Sequence, residues 1–232
     1  MPILIGKIKQ EIKKLGNKER AKLSQRYFKT GKGEYGEGDI FLGITVPKQR
    51  ELAKKYYSLD IKQLKKLIDS KIHEERMIAL FILINRYKTT NNKKIIFHFY
   101  IKNTYRINNW DLVDSSAPKI VGTHLLDKER SILYRLAHSK NLWGRRIAII
   151  STFAFIGRNE FKDALRISKI LCRDKHDLIQ KAVGWTLREV GKKSLIGKKL
   201  EIKFLKENKP LPSILFSYAT ENFSKREKEK LR

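Results

Sequence analysis

Hydrophobic positions along the chain recur mainly at intervals of three and four residues, which is the spacing of amphipathic α-helices. Proline occurs only at positions 2, 47, 118, 210 and 212, and alternating strand patterns bounded by hairpin turns are missing. The pattern therefore predicts an all-α chain. The predicted helices lie near residues 3–15, 18–29, 47–57, 60–69, 73–88, 92–106, 109–126, 128–139, 142–157, 160–173, 176–193, 197–208 and 212–223.

Five of these predicted helices carry a small residue at an equivalent point, which indicates an internal repeat. The separations between successive small residues are 38, 31, 36 and 35, the period of a helix-pair repeat, and the residues are Ala79, Ala117, Ala148, Gly184 and Ala219. One such pair cannot bury its apolar stripe alone, so neighbouring pairs must stack. The sequence predicts a right-handed α-solenoid of antiparallel helix pairs with a concave basic face.

We expect this solenoid to be a single domain spanning residues 1–232, with a charged, frayed tail from about residue 224. The segment 30–39 holds four glycines but lacks the strand and helix of a phosphate-binding glycine motif. It is interpreted as a flexible connector.

The charge of the chain indicates a polyanionic partner. Lys and Arg together number 52 against 24 Asp and Glu, which gives a formal net charge of +28. Basic surfaces bind nucleic acid because they release counterions condensed on the phosphates. A lysine-rich composition can also reflect an A·T-rich genome, and many surface lysines only solvate helices, so charge alone leaves both interpretations open.

The remaining composition favours the cytoplasm. The single cysteine, Cys172, cannot form an internal disulfide, which fits a reducing compartment. The longest apolar run, residues 77–84, is far shorter than a bilayer span, and residues 3–15 have the pattern of an amphipathic helix and not of a signal peptide. We expect no membrane association.

Candidate chemistry is concentrated in the segment 107–122. Trp110 and Asp114 are four residues apart and share one helical face, while Pro118 predicts a kink or a restart of the helix directly after Asp114. On the predicted inner helices, the same concave face also carries Trp185, Arg145, Arg146 and Arg188. Each residue alone has an ordinary explanation, because tryptophans pack in cores, aspartates cap helices and arginines solvate surfaces.

Other chemistries have weaker support in the sequence. The five histidines are scattered without the spacing of a metal site, and the nearest nucleophile pair, Cys172 with His176, has no third group to orient it. The carboxylates of Asp111 and Asp114 resemble an acid/base pair, but such a pair is defined by a distance across a cleft. We predict no metal site.

Three ordered motifs resemble the DNA alkylation repair family of the AlkD type, whose members are HEAT-like-repeat DNA glycosylases acting on N3- and N7-alkylated purines. The motifs are "NNWDLVDSSAP" from Asn108, "NLWGRRIAI" from Asn141 and "QKAVGWTLREVGK" from Gln180, and "FLGITVPKQRELAK" and "SQRYFK" are also similar to the N-terminal part of that family. The resemblance covers nearly the whole chain.

The resemblance implies a role for each matching residue. It makes Asp114 the catalytic carboxylate, Trp110 and Trp185 the aromatic walls at the lesion, and Arg146 a basic group of the DNA-binding cleft. Tyr27 matches a tyrosine close to the DNA. It further implies a HEAT-like solenoid, a monofunctional enzyme without metal or cofactor, and a partner that is double-stranded DNA containing alkylated purines; we expect a monomer.

Two alternatives to a glycosylase remain open at this point. The first is a non-catalytic HEAT-like-repeat protein that binds branched or damaged DNA or structured RNA. The second is a protein-interaction scaffold, the commonest use of helical solenoids, which the charge of +28 disfavours.

Overall fold

The computed structural model describes the backbone of residues 2–231 and the side chains of residues 4–231. Apart from a single bridge between Ile40 and Ile72, the described residues contain no β-structure. The prediction of an all-α chain is confirmed. The contacts divide the chain into two compact units, Met1–Leu112 and Val113–Arg232, so the single domain stays a prediction.

The first unit contains six complete helices, a 3₁₀ turn and the start of a seventh helix. They are α1 (Pro2–Lys14), α2 (Lys18–Tyr27), α3 (Val46–Lys55), α4 (Ile61–Ile68), α5 (His73–Thr89), α6 (Lys93–Lys102), the 3₁₀ turn Thr104–Arg106, and α7 (Trp110–Ala117), whose first three residues belong to this unit.

Helix α5 forms the centre of the first unit. Its residues from Met77 to Ile84 are all buried, and it packs against α3, α4 and α6. This explains why the longest apolar run shows no amphipathic pattern: a helix covered on several sides needs no polar face. At the edge of the unit, Asp60 begins α4 with a capping box, accepting from the Gln63 amide nitrogen at 2.8 Å.

The second unit takes the chain from the end of α7 through a π-helical turn and eight further helices. They are the π turn Pro118–Gly122, α8 (Ser131–Ala137), α9 (Leu142–Ser151), α10 (Phe153–Gly157), α11 (Lys162–Leu171), α12 (Asp177–Lys193), α13 (Leu195–Glu207), α14 (Ser213–Ala219) and α15 (Lys225–Leu231).

Helix α12 forms the centre of the second unit and packs against α9, α11, α13 and α14. Its small residue Gly184 allows close contact, because a Cβ there would lie 2.5 Å from the carbonyl oxygen of Leu215 and 2.6 Å from the Cβ of Tyr218. Ala219 on α14 is fully buried beside it. Two small residues of the predicted repeat, Gly184 and Ala219, therefore lie where α12 and α14 meet.

The structure differs from the sequence prediction at the chain end and in one connector. Residues 225–231 form helix α15 where a frayed tail is predicted, because Ser224 and Glu227 hydrogen-bond at its start and Leu231 is buried. The glycine-rich connector is a series of turns, in which Glu34 and Glu37 accept from backbone nitrogens at 2.8 Å. Its polar side chains fix a segment that is predicted to be flexible.

Candidate active site

Asp114 and Arg146 form a bidentate ion pair in the second unit. Arg146 donates from Nε to Oδ1 of Asp114 at 2.8 Å and from Nη2 to Oδ2 at 2.7 Å, while its Nη1 donates to the carbonyl of Leu178 at 2.6 Å. The Arg146 side chain is 6% exposed and that of Asp114 is 16% exposed. The guanidinium thus points into the unit, and the carboxylate keeps access to solvent.

Asp114 lies where helix α7 changes its hydrogen-bond register. The α-helix ends at Ala117 and continues directly as the π turn Pro118–Gly122. Pro118 has no N–H to donate to the carbonyl of Asp114, four residues earlier, so the regular ladder is interrupted here as predicted. The interruption is a π turn and not a capped restart. Single π turns of this kind occur frequently at functional sites.

The π turn is packed tightly against the junction of α9 and α10. Gly122 lies so close to the carbonyl of Ser151 that a Cβ would clash with it, and the same Cβ would lie 2.8 Å from that of Ala154. Close packing fixes the altered register of the helix. The position of Asp114 is therefore set from two directions, by the π turn after it and by Arg146.

Trp110 begins α7 and is held by aromatic neighbours in the first unit. Asn109 accepts a hydrogen bond from the Trp110 amide nitrogen at 2.8 Å, and the indole Nε1 donates to the hydroxyl of Tyr35 at 3.3 Å. Phe28 stacks on the indole with centroids 5.2 Å apart, and Tyr27 meets it edge to face at 6.0 Å. The indole is fixed in orientation and remains partly exposed.

A buried charge network lies directly behind Trp110. Nε2 of His73 is 2.8 Å from Oδ2 of Asp111, and Nδ1 is 3.3 Å from Oδ2 of Asp39. Arg76 donates from Nη2 to the same oxygen of Asp39 at 2.5 Å. The side chains of His73, Arg76 and Asp39 are at most 4% exposed. The network anchors the first turn of α7 to the start of α5.

The pKa values of His73 and Asp39 in this network are shifted in the directions that favour their charged forms. Burial disfavours the charged form of His73, but the charges and hydrogen bonds of Asp111 and Asp39 outweigh it and raise the pKa of His73. Burial would likewise raise the pKa of Asp39, but the hydrogen bond to His73 and the charge of Arg76 lower it below its ordinary value. Each charge in the network is thus compensated by a neighbour.

Sequence reasoning missed this network, although the repeat contained a signal for it. His73 and Asp111 are 38 residues apart, the separation of the small residues Ala79 and Ala117. Positions one repeat apart lie on neighbouring helices. Two polar residues that are one repeat apart in the sequence are therefore candidates for a buried pair.

Trp185 lies on α12 in the second unit. Its Nε1 donates to Oε1 of Glu189, one turn later, at 3.2 Å, and Phe153 meets the indole edge to face with centroids 4.6 Å apart. The ring is partly exposed. Trp185 follows Leu178, whose carbonyl binds Arg146, by seven residues, so both positions lie on one face of the helix.

The other two predicted DNA-binding arginines are bound to carboxylates within the second unit. Arg145 donates from Nε to Asp174 at 2.6 Å and from Nη1 to the carbonyls of Ser139 and Lys140 at 3.0 Å. Arg188 forms an ion pair with Glu221. Arg145 and Arg188 therefore both hold other parts of the second unit in place.

Within each unit, the structure brings two of the predicted site residues into contact. Tyr27 and Trp110 are in contact in the first unit, and Asp114 and Arg146 are in contact in the second. Trp185 lies in the second unit with partners of its own. A cleft shared by both tryptophans, and DNA contact by the three arginines, stay predictions.

Residues 2–231 contain neither a metal-binding cluster nor a membrane-spanning helix. No group of three or more His, Cys, Asp or Glu side chains is placed there to hold a metal ion. Likewise, none of the helices described is long and apolar enough to cross a membrane.

The chain is built of packed helices and carries a carboxylate held by an arginine and two partly exposed indoles. Comparison with known proteins shows which family has this sequence and fold. The sequence model of the family described as "DNA alkylation repair enzyme" matches residues 8–223. The chain belongs to this family. Curated proteins give no match.

Two solved structures share the fold. One is described as a predicted DNA alkylation repair enzyme from Enterococcus faecalis; it is 19% identical, with a TM-score of 0.70, and the match covers 90% of this chain and 97% of that one. The other is a crystal structure of AlkD2 from Streptococcus mutans, 22% identical, with a TM-score of 0.58 and coverage of 92% and 97%. At these identities the likeness establishes the fold.

Proposed function

We propose that the protein is a monofunctional DNA glycosylase that hydrolyses the N-glycosidic bond of positively charged N3- or N7-alkylated purines in duplex DNA and leaves an abasic site. Membership of the DNA alkylation repair family supports action on alkylated DNA. The observation that carries the specific reaction is the Asp114 carboxylate, held at both oxygens by Arg146 and still 16% exposed.

The substrate itself explains why one carboxylate is enough. An N3- or N7-alkylated purine carries a positive charge, so it departs as a neutral base and needs no proton from the enzyme. Positive charge develops on the deoxyribose as the bond breaks. The requirement is then a fixed anion near C1′ that stabilises this charge.

Asp114 supplies that anion. As the C1′–N bond breaks, its electron pair neutralises the purine, and a water oxygen bonds to C1′. The proton released by this water passes to Asp114 and then to solvent. The carboxylate is 16% exposed, so we propose that water reaches it and is oriented by it while Arg146 keeps it clamped. Fixed placement of this kind removes the cost of reorganisation during the reaction.

The aromatic residues contribute a preference for the charged lesion. A cation over an indole face gains about 0.5 to 2 kcal/mol, and the neutral base loses this attraction once it has formed. We assign this role to Trp110 and Trp185, with Tyr27 beside Trp110. We further propose that Arg145 and Arg188 exchange carboxylate partners for phosphates on the duplex, that Arg146 positions Asp114, and that the protein works as a monomer.

The test is release of bases from methylated duplex DNA by the purified protein in the presence of a chelator. Wild-type protein is expected to generate abasic sites, measured as alkali-labile breaks on a gel. Asp114→Asn removes the negative charge at nearly constant size, so it is expected to reduce the rate about 100-fold or more. DNA affinity should be retained.

Asp163→Asn is the matched control, because Asp163 likewise pairs with an arginine of the second unit, accepting from Arg130 at 2.7 Å. The control should excise bases at nearly the wild-type rate. Equal rates for Asp114→Asn and wild type would exclude the catalytic role. Tight binding by the wild type without any abasic product would instead support the non-catalytic DNA-binding alternative.

A further inference from the structure

The imidazole of His73 has a carboxylate at each of its two nitrogens. Nε2 lies 2.8 Å from Oδ2 of Asp111 and Nδ1 lies 3.3 Å from Oδ2 of Asp39. A neutral imidazole has a single N–H, so it would turn a lone pair toward one of these oxygens, whereas the protonated ring donates to both. The His73 side chain is 3% exposed, so water offers little compensation for a lost bond. This geometry fits the protonated ring.

Charged groups surround this imidazole from four elements. They are Asp39 from the glycine-rich connector, Asp111 from α7, Arg76 and Glu74 from α5, and Arg20 from α2. Burial lowers the pKa of His73, but the two aspartates outweigh both burial and the charge of Arg76 and raise it. The carboxylate of Glu74 is occupied by the backbone nitrogens of Leu42 and Gly43. His73 therefore keeps its proton to a higher pH than an ordinary histidine.

Two routes connect the imidazole to the indole of Trp110. The first is Asp111, which binds His73 with Oδ2 and accepts from the Leu112 amide nitrogen with Oδ1 at 2.7 Å, within the first turn of α7 that Trp110 begins. The second is Phe28, whose ring stacks on the imidazole with centroids 5.4 Å apart and on the indole with centroids 5.2 Å apart. A shift of the imidazole is therefore transmitted both to the backbone and to one face of Trp110.

We propose that protonated His73 is a positioning residue for base excision, which fixes the indole of Trp110 through Asp111 and Phe28. The role of Trp110 at the lesion rests on the proposed function. Loss of the proton breaks one of the two bonds to carboxylate and releases the first turn of α7. A cation is attracted to the face of an indole, so a turned ring loses its preference for the charged lesion. Positioning is complete at low pH and is lost as the pH rises through the folded-state pKa of His73, which lies above 6.5.

The first experiment follows the indole itself by NMR, without DNA. The Nε1–H resonance of Trp110 is identified by its absence from Trp110→Phe and is followed from about pH 6 to about pH 9.5. It is expected to move with pH in the wild type and to stay fixed in His73→Gln, because glutamine keeps a donor for Asp111 but cannot be protonated. The resonances of Trp143 and Trp185 are the internal controls and should not move. A Trp110 resonance that is fixed in the wild type, or moves equally in His73→Gln, would overturn the proposal.

The second experiment measures single-turnover release of 3-methyladenine over the same pH range. At the acid end, His73→Gln is expected to be about tenfold slower than wild type, because the indole is no longer fixed. The ratio of the two rates should shrink as the pH rises, since the wild type then loses its proton as well. Affinity for unmethylated duplex should be equal in the two proteins. A constant ratio of rates would indicate a merely structural role for His73 and overturn the proposal.

Two matched variants separate the route through α7 from the charge around the ring. Asp111→Asn and Asp39→Asn each remove one carboxylate from the imidazole, but only Asp111 lies beside Trp110. Asp111→Asn is expected to excise slowly at every pH. Asp39→Asn should slow excision mainly at higher pH, with a fall that begins at a lower pH than in the wild type, because Arg76 then opposes the proton without compensation. Equal slowing of both variants at the acid end would contradict the route through Asp111.

These results are separable from those for the proposed function. If wild-type protein forms no abasic sites while the Trp110 resonance still follows His73, the glycosylase proposal fails and the coupling of imidazole and indole stands. If wild-type protein excises bases and His73→Gln matches its rate at every pH, the positioning role fails and the glycosylase stands. Circular dichroism spectra identical to wild type establish which variants are folded. Should Asp39→Asn not fold, His73→Gln decides the outcome by itself.

Discussion

At the scale of single residues, one guanidinium determines where the Asp114 carboxylate lies. Arg146 uses two nitrogens on Asp114 and the third on the backbone of α12. A lysine in its place has the same charge but a single donor centre, so it cannot hold both oxygens. Position 146 therefore requires the several donors of a planar guanidinium as well as its positive charge.

Arg146→Lys is therefore expected to slow base excision by about tenfold or more under single-turnover conditions, because small displacements of a catalytic group are costly. Loss of the buried pair should also reduce the free energy of unfolding by about 1 to 3 kcal/mol, measured in urea. Arg130→Lys is the control, since Arg130 likewise donates to a carboxylate and to backbone carbonyls. A control with an equally slow reaction would contradict a specific role for Arg146.

Residue types in the sequence were sufficient to select Asp114, Trp110 and Trp185 as candidates, but not to give the direction of each side chain. Arg146 is predicted to be a basic group of the DNA-binding cleft, and the sequence does not show that its guanidinium binds an aspartate 32 residues away and a carbonyl on a third helix. Long-range pairing of this kind has no local pattern.

At the scale of elements, most helices lie within two to four residues of their predicted bounds, since apolar spacing and capping residues act locally. The exceptions depend on contacts that spacing does not encode. The predicted helix 142–157 is divided near Thr152, and the predicted helix 109–126 changes to a π turn at Pro118. Proline was a visible signal for the second.

The close contact of α12 and α14 gives a test at this scale. Gly184→Ala introduces a Cβ 2.5 Å from the carbonyl of Leu215, so the helices must separate, and the free energy of unfolding should fall by about 1 to 3 kcal/mol. Gly157→Ala is the control, because its Cβ would meet nothing within 4 Å and alanine favours a helix. Urea unfolding of both variants should give changes of opposite sign. Unchanged stability of Gly184→Ala would show that the contact is not tight.

At the scale of the whole molecule, the excess of 28 positive charges favours association with polyanions and opposes compaction by mutual repulsion. Lowering the pH adds further positive charge. Two buried groups act in the opposite direction, however, because both His73 and Glu201 have raised pKa values.

Burial raises the pKa of Glu201 from 4.5 to about 7, and this shift makes stability depend on pH. A group whose pKa is raised in the folded state stabilises the fold fully at pH values below its unfolded-state pKa. This stabilisation is lost as the pH rises through the folded-state pKa. Wild-type protein should thus lose about 2 kcal/mol of unfolding free energy from this group between pH 5.5 and pH 8. Glu201→Gln should remove most of that decrease in urea titrations at the two pH values. The same decrease in both proteins would contradict the shift.

The π turn after Asp114 bears on how insertions and deletions are tolerated along this chain. A π turn holds one residue more than the α-helix it replaces, so loss of a single residue from 118–122 would restore the α-helical ladder and rotate the preceding side chains by roughly 100° about the axis. The carboxylate would then leave its guanidinium. A one-residue deletion within 118–122 is therefore expected to reduce activity far more than its size suggests.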